Sequence, residues 1–368
     1  MRHTGAVTAL DPARLRELAA GYEQRAEDPL PVYRELAAGR LTGLPFDPAY
    51  GGGGRPYREY LDLVEELARS WAALAVGLGV HTLVCDAVQR FGSPALKDEL
   101  LPGLLAGERL GAYALTEPAA GSDAASLQTR SEPVDGGYAI TGRKQFCTRG
   151  GEADHLLVMA RTGGEGPRGI SAFVVDRATP GFRPVRTERK MAWRSSPTWE
   201  LVFDHAAVPA VRRLGQEGDG FGIAMAALDA GRLGIAAVSV GLAQAALDAA
   251  VEGTRATVGA GPDDDPGQAT LFHLADMAIA VEAGRGLYRH AAARKDAGLR
   301  YATEASMAKL ACSDAAMRVT TDAVQILGPV AMLDDHPAGR YLREAKALQI
   351  VEGTNQIQRM LIGRVLAG

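Results

Sequence analysis

The apolar period changes twice along this chain, and that fixes the order of its structural units as α, then β, then α. Over residues 10–110, Leu61, Val64, Ala68 and Trp71 recur at three- and four-residue spacing, the stripe a core-facing helix requires. Between about 111 and 215 the pattern becomes short apolar runs and turns. Tyr138 and Ile140 alternate after the Asp135-Gly136-Gly137 turn, and runs follow at 155–160, 170–176 and 200–204. From Gly218 the helical period returns, interrupted once by Gly259-Ala260-Gly261-Pro262 and 263–267, a loop by composition. The expected fold class is mainly α with a central β domain, divided at 1–110, 111–215 and 216–368. A chain of 368 residues has ample length to bury a core of two or three such units.

Composition removes several classes of function. A net charge of −4 gives no general attraction to nucleic acid or to an anionic membrane. The longest apolar stretch, 235–250, is broken by Ser239, Gln244 and Asp248 and reads as a buried helix, so no membrane span is expected. Cys85, Cys147 and Cys312 are too widely spaced for a disulfide framework or a metal set, and no signal peptide is visible; a cytoplasmic location follows. Glycines 51–54 lack the Lys-Ser/Thr of a phosphate loop. Ser239 sits in a helical pattern rather than a nucleophile elbow, and Asp263-Asp264-Asp265 lacks calcium-loop spacing. His81, on an apolar helix, reads as a satisfied core residue. Arg183, Arg186, Arg189, Lys190 and Arg194 read as a solvated face of the β domain.

Chemistry is concentrated near the C-terminus, in Gln349-Ile350-Val351-Glu352-Gly353-Thr354-Asn355-Gln356-Ile357-Gln358-Arg359. One carboxylate stands between apolar residues and a glycine, just before a helix that Thr354 or Asn355 can cap. A carboxylate so placed can point into a cleft from an apolar surround, where burial raises its pKa and strengthens it as a base. A second segment lies more than two hundred residues upstream: Tyr113-Ala114-Leu115-Thr116-Glu117-Pro118-Ala119-Ala120-Gly121-Ser122-Asp123, followed by Ile140-Thr141-Gly142-Arg143-Lys144-Gln145-Phe146-Cys147-Thr148. With these motifs in this order, the chain resembles the acyl-CoA dehydrogenase family of flavoproteins over nearly its whole length.

The resemblance implies an N-terminal helical domain, a middle β-barrel-like domain and a C-terminal four-helix bundle, with FAD between the last two. Glu352 matches the base that removes the α proton of an acyl thioester while flavin N5 takes the β hydride. Family members that place the base before a bundle arginine would have it at 231, which is glycine here, before Arg232. Thr116 and Thr148 match hydroxyls on the flavin ring, Ser122 a serine near the pyrophosphate, and Phe146 an aromatic that is usually tryptophan. Thr354 and Gln356 match cofactor contacts from the C-terminal segment. Gln325 and Gly328 match a cofactor-binding turn in which the next glycine is replaced by Pro329, which has no N–H to donate. Val351, Arg232 and Gly353 fall on the substrate side, Val351 replacing the usual tyrosine. The family's Arg-x-x-Phe-Gly, which reaches a neighbouring subunit's FAD, aligns with Thr257-Val258-Gly259-Ala260-Gly261, leaving Arg255 two positions off.

The function implied is FAD-dependent α,β-dehydrogenation of an acyl-CoA or acyl-carrier-protein substrate. An electron-transfer flavoprotein or another acceptor would take the electrons, and a homodimer or homotetramer is expected. Two other readings stay open: a flavin-dependent oxidase or monooxygenase on the same fold, and a non-catalytic helical partner protein with a decayed site.

Overall fold

The computed structural model describes residues 11–257 and 266–368. Among the described residues four helices come first: α1 (Pro12–Arg25), α2 (Leu30–Ala38), α3 (Tyr57–Phe91) and α4 (Pro94–Leu105). Their starts obey local rules. The Asp11 carboxylate accepts from Ala13 N with Pro12 at the first helical position, and Ser93 Oγ accepts from Leu96 N ahead of α4. The α3 helix kinks at Trp71 (φ −156°, ψ 93°).

Eight strands follow: β1 (Gly111–Ala114), β2 (Arg130–Val134), β3 (Gly137–Thr148), β4 (His155–Arg161), β5 (Ile170–Asp176), β6 (Phe182–Thr187), β7 (Thr198–Pro209) and β8 (Arg213–Leu214). They form one mixed sheet in the order β6-β7-β3-β2-β4-β5-β8, with β1 parallel to β4. The hairpin β2–β3 turns at 135–136, where Gly136 takes φ 74°.

Five helices complete the chain: α5 (Gly220–Thr257), α6 (Gln268–Asp296), α7 (Ala302–Leu327), α8 (Ala338–Leu348) and α9 (Asn355–Ala367). Long α5 is the axis of the molecule, packed against α3 on one side and α7 on another. The α3–α5 approach needs a glycine. A Cβ at Gly241 would lie 2.1 Å from the Glu65 carbonyl oxygen, so any larger residue would push the helices apart. Charged groups tie α3 to two neighbours: Glu65 to Arg285 of α6 at 2.7 Å and Arg69 to Asp248 of α5 at 2.7 Å. The start of α3 is capped from α6, because Asp296 accepts from the backbone N–H of Tyr57 (2.6 Å) and Arg58 (3.2 Å).

Two helical spans, Tyr57–Phe91 and Gly220–Ala256, are long and apolar enough to cross a membrane, but 89% and 78% of their most apolar windows are buried inside the protein. They are core helices. His81 is likewise a satisfied core residue, with Nε2 3.0 Å from Leu104 O and Nδ1 accepting from Gly111 N. Ser239 Oγ donates to Ile235 O within α5. Arg183, Arg186, Arg189 and Arg194 are exposed, and Arg186 is paired with Glu200 at 2.8 Å.

Candidate active site

The loop between α8 and α9 carries Glu352 in an uncommon conformation. Glu352 has φ 55° and Gly353 φ 87°, two successive left-handed residues that turn the chain sharply. For a residue with a Cβ that region costs about 1–2 kcal/mol, so the surroundings must hold it. Gln358 Nε2 donates to both Glu352 O (3.2 Å) and Gly353 O (3.0 Å), and Asn355 N donates to Gln349 O (3.0 Å), closing the loop. Thr354, rather than Asn355, caps α9, its Oγ1 accepting from Ile357 N at 3.3 Å.

This turn sends the Glu352 carboxylate to α5. A Cβ built on Gly231 would stand 2.6 Å from Glu352 Oε2, 3.0 Å from its Cδ and 3.1 Å from Leu83 Cδ2. A side chain at 231 and the Glu352 carboxylate therefore claim the same space. The residue keeps some exposure, yet Oε2 itself is sealed and has no hydrogen-bond partner among the described residues. Burial raises the Glu352 pKa to about 7, against the pull of Arg232 and Lys309 in the other direction. Arg232 is buried and bonded to Asp229 Oδ1 at 2.7 Å, so it acts on Glu352 as a nearby charge rather than as an ion-pair partner. The phenols of Tyr57 and Tyr113 also face the site, each held well above its usual pKa by burial and further by the Glu352 charge.

A separate wall is built by β1, β3 and the turn after β1. Gln145 N donates to Thr116 O at 2.8 Å, which joins the two upstream segments. The turn is braced from inside by fully buried Lys144, whose Nζ donates to Leu115 O (3.0 Å) and Glu117 Oε1 (2.8 Å). Glu117 also accepts from Gln128 N and Thr129 N, so although burial pushes its pKa up, Lys144 and these donors bring it below the usual carboxylate value. Between Lys144 and Cys147 the β3–β7 register slips. Phe146 sits in that bulge at φ 57°, 59% exposed, its ring turned out of the sheet. Thr116 and Thr148 are half-buried and Ser122 exposed, hydroxyls at or beside that wall with room to meet a ligand.

The structure thus gathers Glu352, Gly353, Arg232 and Gly231 in one place and joins the Thr116 and Phe146–Thr148 segments in another. Val351 is half-buried on the base loop, and Gln356 is exposed in the first turn of α9. Gln325 and Gly328 are elsewhere. Gln325 is exposed at the far end of α7, sixteen residues from Lys309, about 24 Å along the helix axis at 1.5 Å per residue. Arg255 is exposed in the last turn of α5, and 258–261 lie outside the described residues. Sequence reasoning missed Tyr113, Asp229 and Lys309 as neighbours of the site. Lys309 alone left a signal, as a lysine inside the small apolar stripe Ala305, Ala308, Cys312, Ala316 of α7.

Comparison with known proteins gives the same picture along the whole chain. The acyl-CoA dehydrogenase N-terminal, middle and C-terminal domain families match residues 7–108, 112–206 and 218–367. An acyl-CoA dehydrogenase of Bacillus subtilis (strain 168) is 44% identical over 348 residues, 94% of this chain and 92% of the relative. The structure of butyryl-CoA dehydrogenase from Megasphaera elsdenii has a TM-score of 0.94 at 40% identity, covering 96% of this chain and 94% of that one. A solved complex of PigA with FAD and proline has a TM-score of 0.88 at 27% identity, over 100% of this chain and 99% of that one. Fold and relatives define an FAD-dependent oxidoreductase acting on CH–CH groups. The chain belongs to the acyl-CoA dehydrogenase family, and its reaction is α,β-dehydrogenation of an acyl thioester.

Proposed function

We propose that Glu352 is the base of this reaction, and the observation that carries it is the sealed, unpartnered Oε2 in the gap over Gly231. An acceptor-only oxygen buried without a donor is costly, and a carboxylate held that way is a stronger proton acceptor once ionised than a solvated one. The carboxylate takes the α proton, the C–H electron pair becomes part of the new Cα=Cβ bond, and the β hydrogen leaves as hydride. When bound, FAD supplies the acceptor for that hydride. Thr116, Thr148 and Ser122 offer hydroxyls to hold it, Phe146 an aromatic face, and Thr354 and Gln356 contacts from the base loop and the first turn of α9. Thr354 uses its oxygen to cap α9, which leaves its O–H hydrogen free to donate. Val351 leaves the substrate side wider than a tyrosine would, which suits branched or functionalised acyl groups, with Arg232 and Gly353 beside the reacting carbons.

The test is anaerobic titration of the purified yellow protein with butyryl-, isobutyryl- and longer thioesters, each on CoA and on a carrier protein, at low and high salt. Bleaching of the flavin by at least one thioester is expected. The rate of bleaching should rise with pH through about 7, because burial sets the Glu352 pKa there and only the ionised form accepts a proton. A flavin that no acyl thioester bleaches would remove the reading. Loss of the carrier-protein reaction at high salt, with CoA unaffected, would mark a carrier steered by the exposed arginines of β6 and the loop after it.

The two electrons left on the flavin have no acceptor among the side chains, so an electron-transfer flavoprotein or a similar carrier is the proposed partner. All three thiols are free and buried, which suits the reducing cytoplasm. A homodimer or homotetramer is the proposed assembly. Leu271, Phe272 and Ile279 on α6 and Val330, Met332 and Leu333 after α7 are exposed apolar residues of the kind an interface covers. Light scattering of the FAD-loaded protein at micromolar concentration should give at least twice the chain mass of 38.7 kDa; a monomer would contradict this.

A further inference from the structure

A buried lysine stands behind the base loop and has no part in the steps above. Lys309, midway along the first half of α7, is 0% exposed. Its Nζ donates to Gly353 O at 2.9 Å and to Asn355 Oδ1 at 2.8 Å, both neutral oxygens. Asn355 is itself fixed, its Nδ2 donating to Ser313 Oγ (2.9 Å) and Asp314 Oδ1 (2.7 Å). Asp314 also accepts from Gln349 Nε2 (2.7 Å) and Arg359 Nη2 (2.7 Å), so α7 grips the loop at both ends. Burying an ammonium on neutral acceptors is expensive. A methionine would fill similar space without that penalty, so the charge calls for a use.

We propose that Lys309 is a positioning residue for the base: it grips the Gly353 carbonyl, fixes the left-handed Glu352–Gly353 turn, and sets a positive charge behind the Glu352 carboxylate. The proposal rests on Glu352 being the base. The groups that face Glu352 are Arg232 from α5, Lys309 from α7 and the phenols of Tyr113 and Tyr57 from β1 and α3. Burial pulls the Lys309 pKa down to about 7, while Glu352 and Asp314 favour its charged form and Arg232 opposes it, so the cation is present on the acidic limb and fades above it. The sign follows from these charges. A cation favours the ionised carboxylate, so losing it raises the pH at which Glu352 becomes a base.

The experiment compares wild type, K309Q, K309M and E352Q by FAD content and by the pH profile of anaerobic flavin reduction. The reductant is whichever of butyryl-CoA and isobutyryl-CoA reduces the wild type faster. Glutamine keeps an N–H donor, on a side chain one bond shorter, but carries no charge. K309Q should keep its FAD while its acidic limb moves up by about one pH unit, the scale of one neighbouring charge, with the rate recovering at high pH. K309M loses the grip as well, and its limiting rate should fall a further tenfold or so even on the high-pH plateau. Acidic limbs within 0.2 units of wild type in both variants would overturn the proposal. So would a uniform loss that follows FAD content, or failure of both variants to fold, since each assigns Lys309 to structure alone. Retained flavin reduction in E352Q is a separate result and would remove the base reading itself.

Discussion

Glu352→Gln is expected to slow flavin reduction by an acyl thioester by about 10²–10⁴-fold or more, the contribution of a positioned base, while FAD content stays at the wild-type level. Glutamine keeps the size of the side chain and its place over Gly231, so the fold and the left-handed turn should persist. Its amide has no lone pair basic enough to take a carbon-bound proton. Stopped-flow absorbance of the flavin reads the chemical step directly, and the spectrum before mixing reports cofactor content in the same sample. A variant reduced within a few-fold of the wild-type rate would exclude Glu352 from proton abstraction.

Gly231→Ala should be nearly as damaging, although it adds one methyl group on a helix and touches no proposed catalytic atom by charge. The new Cβ would stand 2.6 Å from Glu352 Oε2, with Leu83 at 3.1 Å on the other side. The carboxylate is the movable party, and it must leave its place. A displacement of about 1 Å at a reacting group is worth on the order of 10²-fold in rate. Stability should move the other way or not at all, since alanine is favoured over glycine in a helix by about 0.8–1 kcal/mol. Thermal unfolding and flavin reduction, measured on the same preparation, test the pair of expectations. Wild-type reduction rates in this variant would show that the base does not work from the place where the structure holds it.

The periodicity of the chain was legible because each element buries a face. Leu61, Val64, Ala68 and Trp71 repeat as a helix must, and the runs at 155–160 and 170–176 became β4 and β5, buried along nearly their whole length. The burial of the Glu352 carboxylate was legible from its apolar neighbours, and a cap at Thr354 or Asn355 from cap chemistry, which the structure gives to Thr354. The space around Glu352 was not. That Gly231 and Glu352 meet depends on how α5 and the α8–α9 loop pack, which no local pattern encodes. Phe146 shows a different limit. Strict alternation along β3 would send residues 144 and 146 to one side, yet Lys144 is buried and Phe146 exposed. A bulge resets the count: Lys144 pairs with Leu201 and Cys147 with Trp199, so the extra residue is in β3 itself. Lys309 was overlooked because a lysine on a helix usually faces water, and only the apolar residues on both sides of it argue otherwise.

The cap that Asp296 places on the start of α3 has a consequence for how the chain is made. Tyr57 and Arg58 emerge from the ribosome well over two hundred residues before the carboxylate that receives their N–H groups, and α5, which covers the apolar face of α3, is also far from finished. During synthesis the longest N-terminal helix therefore lacks both its end contact and its cover. A helix so apolar is a target for association with other nascent chains until its partner arrives. Residues 1–110 produced alone should be insoluble or only loosely ordered, and adding the C-terminal helices as a separate polypeptide should recover them.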